Sequence, residues 1–174
     1  MLRTSLLLLS ALTLVGVSVY PIHSSPGQAS EAAPIYGIRL PPGYRDWRLV
    51  SVAREEGSHN DLRGILGNDV AIRAYRKGRR PFPDDTIIAR LAWQYTASEA
   101  NNQAFGRQQS YVAGHPVNGV QFMVKDSRKY AQTGGWGYAQ FNEGKPANAA
   151  LHLTCFGCHQ AAKARDFVFT EYAP

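Results

Sequence analysis

Cys155-Phe156-Gly157-Cys158-His159 places two thiols and an imidazole within five residues. On a helix, thiols at i and i+3 lie about one turn apart. Both can then add to the two vinyl groups on one edge of a porphyrin. The residue that follows, His159, is directed beneath the macrocycle, where a ring nitrogen can bind iron. C-x-x-C-H in this form reads as a c-type haem attachment site, holding one haem covalently. The other ring nitrogen of His159 is expected to donate to a backbone carbonyl or a carboxylate, which sets ring orientation and basicity. Gly157 is small enough to allow close approach.

Two other chemistries use a cysteine pair. A thioredoxin-like redox pair wants a βαβ context at a helix start. A zinc site wants four ligands, and the 174-residue chain holds only 2 cysteines. A disulfide across so short a loop would staple almost nothing. The point bears on compartment, because exported chains ordinarily spend cysteine on disulfides.

Export is the expectation from the N-terminus. Arg3 precedes an apolar run from Leu6 to Val19, and small and polar residues follow from Ser24 to Ser30. A membrane span needs roughly 20 apolar residues, so this run is short. Residues 1–30 read as a secretory signal peptide, with cleavage after either Ser18 or Ala29. An uncleaved anchor is the other reading. In both cases residues 31–174 form one haem domain delivered to the periplasm.

The elements that must position the motif follow from hydrophobic period and turn chemistry. Tyr44–Arg54, Leu62–Leu66, Thr86–Tyr95, Val120–Lys125, Trp136–Phe141 and Asp166–Glu171 read as strands. Asn68 is placed to cap a helix over Asp69–Lys77, with Gly78 ending it. Asp126–Ala131 reads as one helical turn. Residues 97–119 read as a long loop, and 147–163 as the helix that carries the cysteines. The clearest strand, Thr86–Tyr95, puts Ile87, Ala89, Leu91, Trp93 and Tyr95 on a core face. Its mixed face holds Thr86, Ile88, Arg90, Ala92 and Gln94. The expected fold class is α+β, mainly β: an antiparallel sheet with a few short helices and the haem-bearing helix near the C-terminus.

The formal net charge of +6 says little about partners. Arg73, Arg76, Lys77, Arg79 and Arg80 cluster, either as a docking patch for an acidic redox partner or as a solvated helix end. Nucleic acid is not an expected partner, since no binding motif is present.

The sixth iron position decides what the haem does. Met or a second His there suits electron transfer. Met123 falls in a strand and reads as core. His59 and His115 fall in polar stretches, and His152 precedes the first cysteine too closely to reach the far face. An open distal side is therefore expected, and an open iron binds or transforms small molecules.

The chain resembles the cytochrome P-460 family, which includes cytochrome c′-beta. The resemblance rests on Tyr44-Arg45-Asp46-Trp47, Val124-Lys125-Asp126-Ser127, Gly135-Trp136, Cys155 to His159, and Asp166-Phe167-Val168-Phe169-Thr170, in that order. It implies a β-sheet cytochrome, usually a homodimer, with a five-coordinate haem held by His159. It implies two activities. Cytochrome P-460 proteins oxidise hydroxylamine, in some cases with nitric oxide, and carry a lysine–porphyrin bond. The c′-beta proteins lack that bond, have a distal pocket lined by phenylalanines, and bind nitric oxide or carbon monoxide.

This chain departs at the lysine, which aligns with Arg90. A guanidinium stays protonated and is a poor nucleophile. Arg90 is instead a distal candidate, to pair a haem propionate or hydrogen-bond a ligand, or else a solvated strand arginine. Lys77 is the nearest alternative cross-linker. Phe82, Phe105 and Phe141 are candidates to cap the distal pocket, and Glu99 and Glu143 are candidate distal bases. The first expectation is a haem protein handling small nitrogen species such as nitric oxide. A hydroxylamine oxidoreductase and a plain electron carrier with a redox partner protein are the alternatives.

Overall fold

The computed structural model describes residues 30–173. The signal-peptide reading therefore lies outside the described residues. Six strands form one antiparallel sheet in chain order. They are β1 Arg48–Glu55, β2 Asp61–Gly67, β3 Ile87–Ala97, β4 Tyr111–Lys125, β5 Trp136–Asn142 and β6 Lys145–Pro146. The helices are α1 Asp69–Arg76, α2 Glu99–Phe105 and α3 Ala149–His159, and a 3-10 helix, Gln160–Arg165, continues α3.

Strand register sorts the side chains onto two faces, because alternate residues point opposite ways. Ile88, Met123 and Tyr138 are aligned neighbours across β3, β4 and β5 on one face. Arg90, Gln121 and Gln140 form the next row on that same face. Ala89, Phe122 and Ala139 align on the other face. There Tyr44 and Trp47 pack their edges on Phe122, with ring centroids 5.3 and 6.4 Å away. A chain of aromatic contacts, Tyr75 to Phe82 to Trp136, joins α1 to the first face.

α1 forms where Asn68 stops the preceding strand. The Asn68 side chain accepts from the Ala71 N–H at 2.9 Å and also from the Ile87 N–H at 3.1 Å. One amide thus caps the helix and locks it to the start of β3. Gly67 lies so close to Ala71 and Val50 that a Cβ there would come within 3.0 Å of both side chains. Its lack of a side chain is what lets α1 settle on the sheet.

Two sequence expectations need correction. Residues 97–119 are not a loop: α2 and the first half of β4 fill them, and β3 with β4 forms a long hairpin arm. Tyr95 stacks on Tyr111 with centroids 4.2 Å apart, a cross-strand contact invisible to local pattern. Residues 166–171 are not a strand. Asp166 and Phe167 both adopt positive φ, 54° and 62°, which ends any extended run. In β1 a bulge between Leu49 and Ser51 breaks the alternation, so Val50 is buried while Leu49 and Val52 are exposed. On β3 the expected core face is buried at Ala89 and Leu91, and the mixed face is covered as well at Ile88 and Ala92. The short β6 was not expected at all.

Candidate functional site

The cysteine-bearing helix α3 is fixed at two points before any cofactor is considered. Asn148 caps it, accepting from the Leu151 N–H at 2.9 Å. His152 is fully buried, and its Nε2 accepts from the Gln140 N–H at 2.9 Å. That bond ties α3 to β5. It also fixes the His152 tautomer: Nδ1 carries the proton, and no hydrogen-bond partner meets it among the described residues. Burial holds the His152 pKa below its ordinary value, so the ring is neutral.

Both cysteines are free thiols. Cys155 is half-buried, packs on the core, and donates weakly to the Leu151 carbonyl at 3.6 Å. Burial, and next the neighbouring Cys158, push its pKa up, so it stays a thiol. Cys158, one turn on, is exposed.

His159 ends α3 with its Nδ1 2.8 Å from the Phe167 carbonyl oxygen. A carbonyl only accepts, so Nδ1 carries the proton and Nε2 presents its lone pair. Burial lowers the His159 pKa, which keeps the ring in the neutral form that binds iron. The ring is held between Tyr138 and Phe169, with centroids at 4.9 and 5.3 Å. Phe169 is half exposed and Leu153 is 65% exposed, so apolar surface lies open beside the thiols. The Tyr138 hydroxyl is buried without a partner among the described residues, and burial raises its pKa.

These features fit a c-type haem. Two reduced thiols sit one turn apart, a neutral imidazole is oriented through a backbone carbonyl, and apolar side chains lie uncovered around them. The rival chemistries lack their context. The cysteines lie in the last turns of α3 and follow an antiparallel strand, not a βαβ unit. Among the described residues, no group of three or more His, Cys, Asp or Glu side chains gathers to hold a metal by itself.

The Cytochrome P460 family matches residues 41–170. The chain belongs to the Cytochrome P460 family. Membership implies a haem cofactor and a c-type haem protein acting on nitrogen species. No curated protein matches the chain.

Within this Cytochrome P460 domain, Arg90 is neither free nor solvated. It donates to Asp61 Oδ2 at 2.5 Å and to Gln121 Oε1 at 2.9 Å. Asp61 is fully buried and is shared with Arg63, whose Nε lies 2.9 Å away. Gln121 donates in turn to Gln140 at 2.8 Å. The result is a polar row across four strands, on the face that also carries Tyr138 and hence meets His159. Burial and the nearby Arg63 draw the Arg90 pKa down, while Asp61 opposes them.

The other candidates scatter. Met123 is core, as expected. His59 lies near Glu55 at the β1–β2 turn, and His115 is exposed on the β4 arm. Phe82, Phe105 and Phe141 do not converge. Phe82 packs on Tyr75 and Trp136, Phe141 packs on Phe122, and Phe105 is exposed on α2. Glu99, Glu143 and Lys77 are exposed. A hollow of about 690 Å³ lies elsewhere, over Leu49, Val52, Leu62, Leu66, Leu91 and Trp93 on β1–β3, and none of the three haem-attaching candidates lines it.

Sequence reasoning missed Tyr138, Phe169 and the Phe167 carbonyl. The string Asp166 to Thr170 did carry a signal, since it was part of the family resemblance. Its two left-handed residues were hidden, because neither Asp-Phe nor its neighbours include a glycine.

Proposed function

We propose that this is an exported c-type haem protein with one haem, whose iron keeps an open distal position for small nitrogen species such as nitric oxide. Cys155 and Cys158 form the thioethers and His159 is the axial ligand. The observation that carries this reading is His159 itself: neutral, hydrogen-bonded through Nδ1, and followed by no competing bond at Nε2 among the described residues. The bound haem would supply a redox-active iron with an exchangeable coordination position.

Support for the open position comes from the fates of the alternatives. Met123 is packed in the core, and His152 spends Nε2 on the sheet. Hydroxylamine oxidation by a lysine-linked haem is the weaker reading, because Arg90 stands at the aligned position and is engaged by Asp61. Simple electron transfer with a redox partner protein is weaker, since neither Met123 nor His152 is free to be a sixth ligand. Among the described residues no helix is long and apolar enough to cross a membrane, and the periplasm remains the proposed location. A homodimer is proposed as well, since Leu49 and Val52 leave apolar surface open on the β1–β3 face.

The test is an absorption spectrum of the purified holoprotein, ferric and dithionite-reduced, with and without nitric oxide. An ordinary reduced c-type spectrum that shifts on adding nitric oxide is expected. A spectrum indifferent to nitric oxide sinks the open-site reading. A strongly red-shifted reduced Soret band would reveal a cross-link and put hydroxylamine oxidation first.

A further inference from the structure

Lys125 is a buried lysine, 5% exposed, at the end of β4. Its ammonium donates to Asp166 Oδ1 at 2.8 Å and Oδ2 at 3.0 Å, and to the Gly134 carbonyl at 3.1 Å. It also lies 4.9 Å from the centre of the Trp136 ring. Each proton of the ammonium has a destination, so the charge is compensated where it sits.

Asp166 is held from three further directions. Its Oδ2 accepts from the Phe82 N–H at 2.8 Å, its carbonyl accepts from Trp136 Nε1–H at 2.8 Å, and its own N–H donates to the Lys163 carbonyl at 3.1 Å. The next residue, Phe167, supplies the carbonyl that accepts from His159. Both Asp166 and Phe167 are in the left-handed region, which aspartate enters with some ease and phenylalanine seldom. Gly134 makes room for this: a Cβ there would stand 2.2 Å from the Phe167 ring.

We propose that Lys125 and Asp166 are positioning residues for the axial histidine. The pair holds the left-handed turn that aims the Phe167 carbonyl at His159 Nδ1, and so sets how strongly the imidazole donates to iron. The inference rests on His159 being the iron ligand. A firm Nδ1–H···O=C bond makes the imidazole more basic, which strengthens its bond to iron and favours the ferric state.

The experiment measures the Fe–His stretch of the reduced holoprotein by resonance Raman, together with the ferric/ferrous midpoint potential. The variants are Asp166→Asn, Lys125→Arg and the double variant Lys125→Met with Asp166→Asn. The double variant is expected to move the stretch to lower wavenumber and the potential upward. Lys125→Arg, which keeps the charge, should stay nearer wild type. Asp166→Asn gives the same reading should the double variant fail to accumulate. Folded, haem-bearing variants with both quantities unmoved would overturn the proposal, even if their melting temperatures fall. Haem attachment without His159 ligation in the unaltered protein would overturn this inference and the site assignment together.

Discussion

Asp61 and Asp166 are both shielded carboxylates that pair with shielded cations, yet they sit in different kinds of backbone. Asp61 belongs to a regular strand. Its partners Arg63 and Arg90 come from β2 and β3, and the network runs through Gln121 to Gln140 along ladder positions. Asp166 sits in a left-handed turn between the 3-10 helix and the tail, one residue from the carbonyl that holds His159. An ion pair in a strand leans on geometry the sheet already enforces. An ion pair in a strained turn must enforce the geometry itself. The first is expected to matter for stability alone, the second for stability and for the ligand.

The largest effect expected lies on the proximal side. Replacing Cys155 and Cys158 together with alanine should abolish covalent haem, read as loss of haem staining on a denaturing gel. Covalent haem surviving both changes would remove the site altogether.

Next comes Asp61→Ala. It takes the carboxylate from Arg90 and one of two from Arg63, which keeps Glu55, and breaking a buried pair costs about 3–5 kcal/mol. Denaturant unfolding should show this loss, while the Fe–His stretch of the surviving folded protein stays where it was. A shifted stretch would dissolve the contrast with Asp166.

His152→Leu should cost about 1–3 kcal/mol, because the Gln140 N–H loses its acceptor. The pH dependence sharpens this. The folded His152 binds its proton less readily than the unfolded ring, whose reference value is 6.5. The unfolded state therefore takes up more protons below about pH 6.5, so stability falls as pH drops through that point toward the lower folded value. It is fully present above it. Denaturation midpoints measured between neutral and mildly acid pH should show this slope in the unaltered protein and a flatter one in His152→Leu.

The smallest effect is Asn68→Ala, at about 1 kcal/mol for a lost helix cap. Its readout is a lower unfolding midpoint with an unchanged haem spectrum. A changed spectrum would mean that α1 reports to the haem.

Some of this was written in local pattern. The place of the Cys155–His159 string at the end of one helix was legible from spacing, because it depends on neighbours within a turn. Asn68 as a cap, Gly78 as a stop and the β2 and β5 strands likewise depend on neighbours within a few residues. The hairpin arm was not legible, since Tyr111 and Val112 become strand only by pairing with Tyr95–Ala97 across α2. Arg90 was readable as a candidate but not as a partner of Asp61, which lies 29 positions away.

The sequence by itself determined the spacing of the two thiols and the imidazole and the helix that bears them, because both depend on contacts no longer than a turn. Tertiary structure alone decided how the histidine is held. The carbonyl of Phe167 meets His159 from a turn whose Asp166 is paired to Lys125, 41 positions earlier in the chain. Local preference could not show this, since the stabilisation of a strained backbone comes from groups brought in by the fold.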